Sequence, residues 1–65
     1  MNWDQIEARW EQFRGKALIQ WGRLNHSDLD VVNGKRKELA GRIQERYGVA
    51  REDAESQIDS WMRSL

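Results

Sequence analysis

The chain contains no cysteine and no proline among its 65 residues. Without cysteine, neither a disulfide nor a thiolate metal site can stabilise the fold, and this composition suits a reducing compartment. No apolar run approaches the ~20 residues that cross a bilayer. The N-terminus, Met1 to Asp4, lacks the basic start and the apolar stretch of a secretory signal. We therefore expect a cytoplasmic protein that does not contact a membrane.

The chain also lacks an excess of either charge, because its eleven basic and eleven acidic residues cancel. No overall field draws it toward nucleic acid or anionic lipid. Its length fits one domain, spanning residues 1–65. A chain of this size buries only about 60% of its unfolded surface, so four tryptophans must supply much of the core.

Apolar residues recur at helical spacing along the first third of the chain. They are Trp3, Ile6, Trp10, Phe13, Ala17, Trp21 and Leu24. At ~100° per residue they lie within about 80° of one another on a helical wheel. The spacing predicts a helix over about 3–21, with Asn2 as its N-cap and Gln5 in the capping-box position. Gly15 is the position at which such a helix could break.

Three shorter helices are predicted to follow. Ser27 has the character of an N-cap before an acidic first turn, and Asn33-Gly34 stops the helix that it opens. The third helix spans about 35–47 and ends at a left-handed Gly48. The last spans about 51–63, after an Ala50 that offers no side-chain acceptor. Four helices joined by short turns predict an all-α bundle of two packed hairpins.

The predicted core combines the aromatic residues with the apolar face of each helix. It comprises Trp3, Ile6, Trp10, Phe13, Trp21, Leu29, Val32, Leu39, Ile43, Ile58 and Trp61. Arg36 falls within the apolar arc of the third helix. We expect its guanidinium to reach solvent, pair with a carboxylate or stack on an aromatic ring.

The sequence offers no constellation that predicts catalysis or cofactor binding. His26, Ser27 and Asp28 are consecutive, whereas a catalytic triad needs its three members to converge in space. The acids after Asp28 lack the glycine and glutamate of a calcium loop. The Gly-Lys pairs lack the remaining residues of a phosphate-binding loop. We predict no catalytic residue, no metal site, no cofactor and no enzymatic activity.

Three cations of the third helix suggest a different kind of site. Lys35, Arg42 and Arg46 lie within about 40° of one another on its wheel, and we call them the basic stripe. Such a stripe could hold the phosphates of nucleic acid or another polyanion. Alternatively, it is solvated or paired with carboxylates of the same chain, and the neutral overall charge favours this interpretation.

Two runs of residues resemble the signatures of the bacterial CsbD-like general stress-response family. The first joins Trp10-Glu11-Gln12-Phe13-Arg14-Gly15-Lys16 to Gln20-Trp21-Gly22-Arg23-Leu24. The second extends from Asn33-Gly34-Lys35-Arg36 to Gly41-Arg42-Ile43-Gln44-Glu45-Arg46-Tyr47-Gly48. The resemblance implies a small cytoplasmic bacterial protein that accumulates under stress. It also implies four helices in two roughly orthogonal hairpins, similar to SAM-domain bundles, and it supplies no catalytic residues.

One stretch departs from that family's pattern, which tends to place charged residues between Lys16 and Gln20. Here Leu18 lies about 100° and Ile19 about 160° from the centre of the apolar stripe. We expect Leu18 to be partly buried and Ile19 exposed, unless a kink at Gly15 buries both. An exposed pair would suit self-association or a protein partner.

Overall fold

A computed structural model describes residues 2–65, and within them all regular structure is helical. Its five helices are α1 (Trp3–Ala8), α2 (Trp10–Gln20), α3 (His26–Val32), α4 (Arg36–Tyr47) and α5 (Arg51–Ser64). The all-α prediction is confirmed. The count of four is wrong, because the first predicted helix is divided in two. The arrangement of the helices as two roughly orthogonal, SAM-like hairpins stays a prediction.

The division of the first helix lies at Arg9, and the prediction of a break near Gly15 is wrong. Arg9 adopts φ −119° and ψ 36°, outside helical values, and serves as the C-cap of α1 and the N-cap of α2. Gly15 lies inside an uninterrupted α2. A long-range contact fixes the direction of α1, since Trp3 Nε1 donates to the Gly34 carbonyl at 2.9 Å.

Most of the helix caps are those that the sequence predicts. Asn2 and Gln5 form the predicted capping box, with side-chain contacts of 3.0 and 3.1 Å. Gly48 ends α4 at a left-handed φ of 66°, and Ala50 makes no side-chain cap. For α3 the predicted N-cap, Ser27, is wrong, because the helix begins two residues earlier and Asn25 caps it.

The core brings together apolar residues from all five helices. Every predicted core residue is buried except Trp3, which is half-buried, and Ala17, Leu24, Ala40 and Ala54 join them. Trp61 of α5 packs against two other tryptophans, with its ring centroid 6.3 Å from that of Trp3 and 5.1 Å from that of Trp21. Within residues 2–65, Trp10 Nε1 is buried without a hydrogen-bond partner, which costs on the order of 1–3 kcal/mol.

Arg36 behaves as its position in the apolar arc of α4 predicts. It donates to Asp59 Oδ1 at 2.8 Å, to Glu55 Oε1 at 3.3 Å and to the Glu55 carbonyl at 3.4 Å. The predicted pairing with a carboxylate is confirmed, and it joins α4 to α5. Among the described helices, none is both long and apolar enough to cross a membrane.

Candidate functional surfaces

The residues that superficially resemble a catalytic triad do not form one. His26 and Ser27 are exposed, whereas Asp28 is buried. Both carboxylate oxygens of Asp28 accept hydrogen bonds from Arg46, and one also accepts from the Asn25 amide. Asp28 therefore orients no histidine. Within residues 2–65, no group of three His, Cys, Asp or Glu side chains could hold a metal ion.

The basic stripe divides into two separate sites. Lys35 is the N-cap of α4, and its Nζ lies 2.7 Å from Glu7 Oε2 of α1. This hydrogen bond raises the pKa of Lys35. Arg42 and Arg46 lie two to three turns further along α4 and converge on Asp28 instead. The three cations that the helical wheel places on one face of α4 therefore pair with two carboxylates on two different helices, α1 and α3.

Asp28 is the centre of the larger site. Arg46 Nη2 donates to its Oδ1 at 2.9 Å and Arg46 Nε to its Oδ2 at 3.1 Å, which is a bidentate pair. Arg42 Nη1 lies 3.6 Å from Oδ1 and 3.1 Å from Glu45 Oε2. Only 3% of the Asp28 side chain is exposed, against 43% for Arg46. A buried carboxylate thus fastens the start of α3 to the last two turns of α4.

The local sequence explains how Asp28 reaches this position. Asn25 Oδ1 accepts from the Asp28 amide at 2.8 Å, and Asp28 Oδ2 accepts from the Asn25 amide at 3.1 Å. This is a capping box in which Asp replaces the usual Glu or Gln at the fourth position. The spacing Asn-x-x-Asp was the signal that could have identified it.

The surroundings of Asp28 keep it ionised. The hydrogen bonds from Arg46 hold the pKa of the Asp28 carboxyl below its ordinary value, although burial acts in the opposite direction. The amide of Asn25 and the charges of Arg46 and Arg42 lower this pKa further. Electrostatically, the site is an internal ion-pair cluster, and a phosphate would have to compete with Asp28 for both guanidinium groups.

The apolar pair of α2, Leu18 and Ile19, is placed as predicted. Leu18 is half-buried and packs against the core, whereas Ile19 is 86% exposed. Within residues 2–65, the other large apolar side chain that is mostly exposed is Val31 of α3, at 51%. Because α2 is continuous across Gly15, Ile19 keeps the outward direction that its wheel position requires.

An open groove lies at the opposite end of α2, where that helix follows α1. Its volume is about 390 Å³, and it is lined by Glu7, Ala8, Arg9, Trp10, Glu11, Gln12 and Asn33. We call it the α1–α2 groove. It lies at the break at Arg9, which the sequence did not predict. A second shallow groove, of about 450 Å³, lies along α5 beside the carboxylates that bind Arg36.

Comparison with known proteins shows which proteins this chain is similar to. Residues 4–56 match the CsbD-like family model. A UPF0337 protein of Pectobacterium atrosepticum is 54% identical over 61 residues, which cover 94% of this chain and 88% of that protein. The UPF0337 protein YjbJ of Escherichia coli O6:H1 is 48% identical over the same shares. A UPF0337 protein of Rhodopseudomonas palustris is 42% identical over 65 residues, covering 100% of this chain and 98% of its own.

Proposed function

The chain belongs to the CsbD-like family, and on that premise we propose that it is a non-enzymatic, cytoplasmic protein of the bacterial stress response. We propose further that it acts by contacting another protein chain through Leu18 and Ile19. The stress-response role rests on the family resemblance. The contact surface rests on one observation, the 86% exposure of Ile19.

The arrangement of charged groups supports a non-enzymatic role. The groups with perturbed pKa values are Asp28, Lys35, Arg36 and Arg46. Each of them is engaged in an ion pair between two helices. A catalytic acid or base has to exchange its proton with a substrate, and these groups instead hold the helices together. Structural ion pairs shift pKa values without any catalytic role.

Ile19 is unusual because the fold gains little from it. A chain of this size buries only about 60% of its unfolded surface, and Ile19, at 86% exposure, contributes little to that burial. Burial against a partner would stabilise a complex by roughly 25 cal/mol for each Å² of apolar surface removed from water. An interface built on one exposed isoleucine and one half-buried leucine is far below the ~1,200 Å² of a stable complex. We therefore expect a weak, transient contact.

A photocrosslinking experiment in bacterial cells tests this proposal. A photoreactive amino acid would replace Ile19 in one variant and Val31 in a matched control, since Val31 is the other exposed apolar residue. We expect a discrete crosslinked product from position 19 and none from position 31. Equal products from both positions, or no product from position 19 under stress, would contradict the proposed surface.

A further inference from the structure

We propose that α1 is a latch, a segment that detaches from the rest of the domain as a unit. It opens by straightening at Arg9, so that α1 and α2 become one helix over residues 3–20. Three features of the structure support such a latch: the hinge at Arg9, the contacts that hold α1 in place, and a buried indole nitrogen beside the hinge. The latch is independent of the contact proposed for Ile19, which lies at the far end of α2.

The local sequence of the hinge does not favour a bend. Residues 8–10 are Ala, Arg and Trp, none of which breaks a helix, and among the described residues no side-chain cap begins α2. Regular bonding to the fourth residue back extends to Arg9, whose amide donates to the Gln5 carbonyl at 3.2 Å. It resumes at Phe13, whose amide donates to the Arg9 carbonyl at 3.3 Å, while the Gln12 amide donates only three residues back, to Arg9, at 2.9 Å. Moving Arg9 to helical backbone angles is the step that would restore the ladder of a continuous helix.

The bend is held by contacts between α1 and distant parts of the chain. Trp3 Nε1 donates to the Gly34 carbonyl at 2.9 Å, and Glu7 Oε2 accepts from Lys35 Nζ at 2.7 Å. Gly34 also approaches Glu7 so closely that an added Cβ would lie 3.1 Å from Glu7 Cγ. The ring of Trp3 packs against that of Trp61. Both polar contacts end in the turn between α3 and α4, so loss of the contact with that turn releases both of them.

Opening of the latch exposes apolar surface, chiefly that of Ile6, which is fully buried in the closed state. The open state is therefore a minor one, but two features offset part of its cost. A continuous helix of about 18 residues, with the capping box of Asn2, exceeds the ~12–15 residues below which an isolated helix is marginal. In the described part of the chain, Trp10 Nε1 is buried without a hydrogen-bond partner, and Trp3 packs 6.3 Å from the Trp10 ring. The departure of Trp3 opens one side of that ring to water.

Hydrogen exchange of two indole protons, followed by NMR, tests whether the latch opens. Trp3 Nε1 donates to the Gly34 carbonyl across the latch, whereas Trp21 Nε1 donates to Gln57 Oε1 within the rest of the domain, at the same distance of 2.9 Å. We expect the Trp3 indole proton to exchange at least about tenfold faster than that of Trp21, and with a weaker dependence on urea. Equal rates and equal urea dependence would mean that α1 detaches only when the whole domain unfolds, which would overturn the latch.

The amides of α1 distinguish straightening from simple fraying. Those of residues 7–9 stay hydrogen-bonded in a continuous helix, so we expect them to be better protected from exchange than the Trp3 indole proton. If α1 instead unfolded to coil, the indole proton and these amides would lose protection together. Equal protection of both, after correction for their intrinsic exchange rates, would overturn the straightening at Arg9.

Substitution at the hinge provides the decisive test. Glycine disfavours a helix interior relative to arginine, and Arg9 lies in a helix interior only in the open state. Arg9→Gly should therefore slow exchange of the Trp3 indole proton about fivefold. Opening to coil predicts the opposite, because glycine increases the entropy of a coil, so faster or unchanged exchange would overturn the latch.

Lys37→Gly is the matched control, since Lys37 is exposed and lies inside α4 whether the latch is open or closed. It should speed exchange of the Trp21 indole proton by lowering the stability of the whole domain, and leave that of Trp3 unchanged. Continued protection of the Trp21 indole proton in Arg9→Gly shows that this variant is folded. Slower exchange at Trp3 in both glycine variants would overturn the hinge at Arg9.

Discussion

Among the substitutions of an acidic residue by its amide, Asp28→Asn should destabilise this fold the most. Asparagine keeps one oxygen for the Asn25 amide but removes the charge that binds Arg46 and Arg42. Hydrogen bonds to charged groups contribute roughly 1.5–3 kcal/mol each. Because 43% of the Arg46 side chain is exposed, it can recover hydration, and we expect a net loss of about 2 kcal/mol.

Asp30→Asn is the matched control for this change. Asp30 lies on the same helix and pairs with Arg14 at 2.7 Å, but its side chain is 66% exposed. An exposed pair contributes ~0–1 kcal/mol. In urea unfolding at pH 7, followed by tryptophan fluorescence, Asp28→Asn should therefore lower the free energy of unfolding by at least 1 kcal/mol more than Asp30→Asn. This corresponds to a difference in Tm of roughly 4–8 °C for a domain of this size.

The pH dependence provides an independent check of the same mechanism. The folded state holds the pKa of Asp28 below its ordinary value, so its ionised form stabilises the fold. That stabilisation is complete above the ordinary value, near 4, and is lost as the pH falls through the lower, folded-state value. The difference in stability between the unaltered chain and Asp28→Asn should therefore shrink as the pH is lowered below 4. A difference that is absent at pH 7, or that does not shrink in acid, would refute this account.

Two further predictions follow from the turn before α4 and from the basic stripe. Gly34→Ala should destabilise the fold by about 1–2 kcal/mol in thermal melting, because Gly34 has a φ of +82° and an added Cβ would lie 3.1 Å from Glu7 Cγ. The control is Gly41→Ala inside α4, where an added Cβ meets no atom within 4 Å, and this change should stabilise the fold by about 0.5–1 kcal/mol. Equal effects of the two substitutions on stability would contradict this prediction. Binding of a polyanion by the basic stripe stays a prediction. Since each cation of the stripe already has a carboxylate partner, we expect no amide shifts when a short DNA duplex is added at low salt, and shifts centred on the stripe that vanish with added salt would restore that hypothesis.

The break at Arg9 shows where the sequence was insufficient to predict the fold. The apolar spacing of Trp3, Ile6 and Trp10 continues through the break, so periodicity alone predicts one helix. The forces that direct α1 come from residues distant in the sequence, since Trp3 donates to Gly34 and packs against Trp61. A glycine was the local signal for a break, but a glycine inside a helix costs only about 1 kcal/mol, which the packing of α2 offsets.

The start of α3 was missed for a related reason. Both Asn25 and Ser27 are good N-caps, and each has an aspartate three residues later. Asn25 caps the helix because its aspartate, Asp28, then faces α4 and meets Arg46. The other aspartate, Asp30, meets Arg14 of α2 instead. The choice between these two N-caps therefore depends on charged residues of other helices. The sequence pattern does not show where those residues lie in the fold.

The two candidate surfaces therefore differ in what a mutation can reveal. Removing a cation of the basic stripe also removes a link between helices, because Lys35 holds Glu7 of α1 and both arginines hold Asp28 of α3. A loss of activity in such a variant would not distinguish a binding role from a weakened fold. Ile19 makes no such link, being 86% exposed on a continuous helix. If the proposed function holds, substitution of Ile19 should change association with a protein partner while the free energy of unfolding stays unchanged.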